Sequence, residues 1–168
     1  MKIHGSLKIN GKYYAKGSEV SWFSIYPFFL FHMLAFGLSG FYMAYFAKNV
    51  ELKFLFLHGG FAIIAYILFY VRIFGFDDVK WALINAFLGF VGIYTQMGWI
   101  LDYFGKDIDN YPFYIHIIPF FYFVLYTFLL RQAVLDITGS REKEREQKVE
   151  LGYVAVLLGG YLLSYLLR

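Results

Sequence analysis

Five long uncharged runs alternate with short charged segments along this chain. Each run is 17 to 28 residues long. The runs cover residues 20–47, 54–71, 81–101, 110–130 and 151–167. A helix that spans a bilayer needs about 20 apolar residues, with a range of roughly 17–25. The pattern therefore predicts an all-α, polytopic membrane protein with five transmembrane helices in one bundle, over residues 24–47, 54–72, 80–101, 111–133 and 149–167.

The N-terminal tail, residues 1–23, has a different pattern. It contains Asn10-Gly11 between two short runs of β-prone residues. Asn-Gly is the preferred pair for a two-residue hairpin turn, because both residues tolerate a positive φ. The tail is therefore predicted to form a short β-hairpin, and residues 24–168 are predicted to form the bundle.

The distribution of positive charge predicts the orientation. With the N-terminus in the cytoplasm, 11 of the 15 lysine and arginine residues lie on the inner side and four on the outer side. The inner loops of membrane proteins carry such an excess. We therefore expect the N-terminus and the hairpin to be cytoplasmic and the C-terminus to lie outside, in a cell membrane of the bacterial inner-membrane type. We expect the basic residues to contact anionic lipid headgroups of the bilayer. Nucleic acid is not expected as a partner, because the sequence predicts no compact basic fold.

The composition and the absence of known motifs exclude several kinds of site. The 168 residues are 60% hydrophobic and include no cysteine, which excludes disulfides, thiolate metal sites and covalently attached haem. Neither a phosphate-binding glycine loop nor an HExxH zinc motif is present. No residue is assigned a catalytic role, and whether the protein is an enzyme is left open.

Three polar side chains on different predicted helices fall at one depth. His58, Gln96 and His116 each lie roughly 8–9 Å to the outer side of the midplane, at about 1.5 Å rise per residue. Polar groups are costly in hydrocarbon, so this set predicts a site. Gly89 and Gly92, on the helix of Gln96, are predicted to lie at the closest helix contact and to leave room for a ligand.

Two redox interpretations of this site follow. In the first, His58 and His116 are the metal ligands of a b-type haem, and Gln96 hydrogen-bonds one of them. In the second, His and Gln side chains hydrogen-bond a quinone in an aromatic cleft. Either one makes the chain an electron-transfer subunit that needs a redox partner protein. His32 lies nearer the middle of its helix and is not assigned to the site.

Two other functions fit the same residues. The histidines of a non-catalytic accessory or assembly subunit would only form interhelical hydrogen bonds, within a membrane complex or a homo-oligomer. A transporter of small solutes or ions would use the polar side chains as a path. The transport interpretation lacks the acidic residue deep in a helix that a proton-coupled carrier generally uses.

Overall fold

The computed structural model describes residues 1–9, 11–48, 51–140 and 143–166, except for eleven side chains of the last helix. The described residues form two strands, β1 (Leu7–Ile9) and β2 (Lys12–Tyr14), and six α-helices. The helices are α1 (Trp22–Tyr45), α2 (Leu52–Phe74), α3 (Phe76–Leu88), α4 (Phe90–Tyr103), α5 (Ile117–Ile137) and α6 (Lys143–Leu166). Short 3₁₀ turns over Ile108–Asn110 and Phe113–His116 join α4 to α5.

Several of these helices have the length and composition of membrane spans. Within the described residues, three helical segments qualify on their own: Trp22–Tyr45, Leu52–Phe74 and Phe113–Ile137. The bent pair α3 and α4 makes a fourth if it is counted as one span. The prediction of a mostly helical, multi-pass membrane protein is therefore confirmed. The predicted fifth span falls in α6. Because the structure does not describe many side chains of this helix, the fifth span stays a prediction.

The N-terminal hairpin is present as predicted. β1 and β2 pair antiparallel with Leu7 opposite Tyr14 and Ile9 opposite Lys12. Gly11, with φ of 82°, supplies the positive φ that the turn requires. Asn10 itself lies outside the described residues.

The hairpin is anchored to the C-terminal end of α2. The backbone N–H groups of His4 and Gly5 donate to the carbonyl oxygen of Arg72 at 2.9 and 2.7 Å. The Arg72 guanidinium donates in turn to the carbonyl oxygen of Ser6 at 3.0 Å. At the end of the same helix Gly75 has φ of 102°, where a side chain would be strained and would also collide with the His4 ring. A lone hairpin is marginal in water, and these contacts supply the support it needs.

The third predicted span is broken. Residues 80–101 do not form one helix: α3 ends at Leu88, α4 begins at Phe90, and the two axes differ by 74°. Gly89 stands at the break with φ of −90° and ψ of 13°, outside the helical region. Glycine favours such a break because it has the lowest helix propensity of the residues that keep a backbone N–H.

The two halves of the broken helix nevertheless run from one end of α1 to the other. α3 begins directly after Gly75, which contacts His4 of the N-terminal tail. The preceding residue, Phe74, is stacked on Tyr26 in the first turns of α1. Beyond α4, the Phe104 ring lies 5.6 Å from Phe46, just past the C-terminus of α1. Lys106 lies 4.9 Å from the same Phe46 ring. The start of α3 and the end of α4 therefore lie near opposite ends of α1.

The closest helix approach lies elsewhere than predicted. Gly92 is exposed, and a Cβ added to it would meet nothing within 4 Å, so the prediction that it packs at the closest contact is wrong. Gly89 is also exposed. Instead, a Cβ on Gly59 of α2 would lie 2.5 Å from Cγ2 of Ile118 in α5, and one on Gly40 would lie 3.0 Å from the Tyr122 ring. Helix α4 is therefore rotated relative to the prediction.

The chain divides into two compact units, residues 1–129 and 130–168. The first contains the hairpin, α1 to α4 and most of α5. In the second, α5 ends at Ile137, and Gly139 follows with φ of 62°, in the left-handed region that favours glycine. The N–H of Ser140 then closes the helix end by donating to the Leu135 carbonyl at 2.9 Å. Helix α6 follows, and several of its apolar residues, such as Leu151 and Val156, are exposed.

Candidate functional site

His116 is buried beside three tyrosines where α1 ends and α5 begins; Tyr45 is buried, and Tyr94 and Tyr111 are half-buried. The hydroxyl of Tyr45 lies 2.8 Å from His116 Nδ1, and the carbonyl oxygen of Tyr111 lies 3.3 Å from Nε2. The hydroxyl of Tyr111 donates back to the Tyr45 carbonyl at 3.0 Å. The ring of Tyr94 from α4 meets the imidazole edge-on, with 5.3 Å between centroids. We call these four residues the tyrosine–histidine cluster.

The hydrogen bonds fix the tautomer of His116. A carbonyl oxygen only accepts, so the proton that His116 shares with Tyr111 must lie on Nε2. Nδ1 is then an acceptor and receives the hydroxyl proton of Tyr45. Both ring nitrogens of this histidine, which is 3% exposed, are therefore used within the protein.

His58 has different surroundings. It lies on α2 between two phenylalanine rings: Phe54 is stacked on it at 5.7 Å with planes 7° apart, and Phe36 of α1 lies at 5.6 Å. Gly59, the next residue, packs against Ile118, two residues beyond His116. The two histidines thus flank one helix contact, but they face different sets of side chains, and the described contacts do not bring their rings together.

The residues around His58 form an open groove of about 790 Å³ between α1 and α2. We call it the α1–α2 groove. Its lining is largely aromatic and includes Lys8 and Ile9 from the hairpin. A volume of this size suits a small-molecule ligand. The lining residues are Lys8, Ile9, Phe28, Phe29, His32, Phe36, Phe54, Leu57, His58, Phe61, Ala62, Ala65, Tyr66 and Phe69.

The groove contains a second histidine that sequence reasoning left out. His32 of α1 lines it together with His58 of α2. Each histidine has a phenylalanine one turn before it on its own helix: Phe28 lies 4.1 Å from His32, and Phe54 is stacked on His58. A Phe–x–x–x–His spacing shared by two neighbouring apolar helices was the signal that could have identified the pair.

The tautomer of His32 is also fixed by its contact. Its Nδ1 lies 2.9 Å from the carbonyl oxygen of Phe28, so Nδ1 carries the proton. In the neutral ring, Nε2 is then an acceptor with a lone pair. Phe36, beside His58, lies one turn beyond His32, which separates the two histidines by about 6 Å along the helix axis.

The remaining residues of the predicted site lie apart from the groove. Gln96 is half-buried on α4, and neither it nor Gly89 or Gly92 is among the described residues that line the groove. The described residues include no group of three or more His, Asp or Glu side chains that could hold a metal ion. A haem held by His58 and His116 stays a prediction, and it would require His116 to release Tyr45 or Tyr111 before binding iron.

Comparison with known proteins gives no family for this chain. It matches no protein-family model, no curated protein and no solved structure.

Proposed function

We propose that this protein is a membrane-embedded electron-transfer subunit that binds a quinol or quinone in the α1–α2 groove. The observation that carries the proposal is that His32 and His58, from two different helices, line one aromatic groove. A quinone ring is flat and apolar, with two polar oxygens on opposite sides. Aromatic walls with a few placed polar groups are the usual lining of such a site.

The hydrogen-bonding roles of the two histidines favour binding of the quinol, the reduced form of the ligand, over the quinone. His32 offers only the lone pair of Nε2, which accepts a hydrogen bond from a quinol hydroxyl and gives none to a quinone carbonyl. Within the part of the chain that the structure describes, His58 makes ring contacts and no hydrogen bond to protein, so its ring can serve as donor or acceptor. The groove therefore suits a ring whose two hydroxyls meet one histidine each. Oxidation of a bound quinol to the quinone would release two electrons, which pass to a redox partner protein, and two protons, which His32 and His58 would accept from the two hydroxyls.

Binding can be measured on the full chain in lipid nanodiscs with decylubiquinol and decylubiquinone as probes. We expect saturable binding, tighter for the quinol, and a loss of about tenfold in affinity for His32→Leu and for His58→Leu, because each lost hydrogen bond to the ligand is worth roughly 1 kcal/mol or more. Phe31→Leu is the matched control, since Phe31 neighbours His32 but lies outside the groove and is 70% exposed.

Two results would contradict the proposal. One is the absence of saturable probe binding to the unmodified chain. The other is unchanged affinity in both histidine variants. A Soret band that disappears in His58→Leu and in His116→Leu would favour the haem interpretation instead.

We also propose that the N-terminus is cytoplasmic and that α3 and α4 together cross the membrane once. The excess of positive charge and the contacts at the two ends of the broken helix support this arrangement. Reporter fusions after Lys48 and after Lys106 should be active on the outer side, and a fusion after Asp77 on the inner side. If fusions after Asp77 and Lys106 report the same side, α3 and α4 form a re-entrant loop.

A further inference from the structure

Three tyrosines lie together in the interior of residues 1–129, next to the α1–α2 groove. The rings of Tyr66 and Tyr70 on α2 lie 6.2 Å apart. Tyr122 of α5 packs against Gly37 and Gly40 of α1, directly beyond Phe36, whose ring lies 6.2 Å from that of Tyr66. Tyr66 lines the groove. We call the three the buried tyrosine group.

Two of the three hydroxyls are buried without a hydrogen-bond partner in the part of the chain that the structure describes. Tyr70 is 0% exposed and Tyr122 is 3% exposed. Among the described residues, neither hydroxyl oxygen has a hydrogen-bond partner. A buried polar group left unsatisfied is destabilising, and nearly all such groups in folded proteins are paired with protein or with ordered water. Phe29, Phe74 and Phe128 are buried in the same part of the chain, so the interior accepts a ring without a hydroxyl.

The surroundings provide space on both sides of the group. Tyr66 faces the α1–α2 groove, and Tyr122 lines a second, almost wholly apolar cavity of about 570 Å³ between α1, α4 and α5. Polar groups that are near one another but too far apart for a direct hydrogen bond are commonly bridged by water. A buried water needs two to four polar partners, and three hydroxyls meet that requirement.

We propose that the buried tyrosine group is a binding site for internal water. The ligand is one or two water molecules held by the hydroxyls of Tyr66, Tyr70 and Tyr122. The group then extends the polar lining of the groove into the middle of the bundle. A second part of the proposal concerns the ligand and rests on the proposed function. In it, the Tyr66 hydroxyl is a third polar contact for the quinol ring bound between His32 and His58.

Hydroxyl-radical footprinting of the full chain in nanodiscs tests the hydration directly, because radicals form at bound water. Phe120 is the internal control: it is 5% exposed, and it lines neither the α1–α2 groove nor the second cavity. After correction for intrinsic reactivity, we expect Tyr70 and Tyr122 to be oxidised several times faster than Phe120. Equal, slow rates at all three would show a dry interior and overturn the proposal.

Removing one hydroxyl gives an independent test with a definite sign. With water present, Tyr70→Phe and Tyr122→Phe take a partner from it, and the melting temperature should fall by about 2–4 °C. In a dry interior each change removes an unpaired hydroxyl, and the melting temperature should stay the same or rise, which would overturn the proposal. Tyr103→Phe is the control, since Tyr103 is 85% exposed.

Both tests work without quinol, so they are separate from the test of the proposed function. If hydration is found, Tyr66→Phe should weaken decylubiquinol binding several-fold. Hydration together with unchanged binding in Tyr66→Phe would overturn only the ligand contact. Hydration without any probe binding to the unmodified chain would overturn the proposed function and leave the water site standing.

Discussion

Gly59→Ala is expected to lower the free energy of unfolding by about 1–3 kcal/mol, through overpacking of the α2–α5 contact. The added Cβ would lie 2.5 Å from Cγ2 of Ile118, a distance that requires something to move. Ile118 is 2% exposed, and a β-branched side chain in a helix has one strongly preferred rotamer. The isoleucine therefore cannot turn aside, and the two helices must separate.

The neighbouring glycine provides a control of opposite sign. A Cβ on Gly60 would meet nothing within 4 Å. Gly60→Ala should therefore be neutral or stabilising, by up to roughly 0.5–1 kcal/mol, because alanine favours the helix. Unfolding by a denaturing detergent can compare the variants. Ile118→Ala removes the colliding methyl group, so Gly59→Ala should cost much less in that background. Equal effects of the two glycine substitutions would contradict the observed contact.

The elements that the sequence predicts best are those whose signal is local. The run lengths predict α1, α2 and α5, because a span must be long and uncharged whatever surrounds it. The hairpin follows from Asn10-Gly11, because the turn depends on the φ angles of two residues. Its attachment to Arg72 depends on a residue more than 60 positions away, and no local pattern indicates that contact.

The break at Gly89 shows where the local signal is ambiguous. Small residues in a membrane helix favour close packing, and glycine also lowers helix propensity. The sequence predicts close packing at Gly89 and Gly92. The structure instead has a helix break at Gly89 and an exposed Gly92. Run length alone does not distinguish a straight helix from two short ones.

The histidines show a second limit of sequence-based prediction: it does not give the direction in which a side chain points around its helix axis. Counting residues predicts depth, and the contact between Gly59 and Ile118 places His58 and His116 near one level. The direction of a side chain around the axis depends on which face meets lipid. In a membrane helix both the lipid face and the packed face are apolar, so periodicity gives little guidance. His58 thus faces α1 and His32, away from the tyrosines around His116.

His116→Leu is expected to lower the free energy of unfolding by about 2–4 kcal/mol, since it breaks the tyrosine–histidine cluster. Leucine fills much of the imidazole volume, so most of the loss comes from hydrogen bonds. Tyr45, 4% exposed, would be left with a buried hydroxyl that has lost its acceptor, and the Tyr111 carbonyl would lose a donor. His32→Leu is the stability control, because His32 is only half-buried and its hydrogen bond stays within its own helix.

A double-mutant cycle between Tyr45 and His116 separates this hydrogen bond from general packing. In the unmodified chain Tyr45→Phe should cost about 1–3 kcal/mol, because it leaves Nδ1 of a buried imidazole without its donor. In the His116→Leu background the same change should be neutral or stabilising, because the hydroxyl it removes is already unpaired. The two losses should therefore fail to add, by about 1 kcal/mol or more. Additive losses would mean that the Tyr45 hydroxyl and the His116 ring do not share a proton, and the assignment of the His116 tautomer would fail with them.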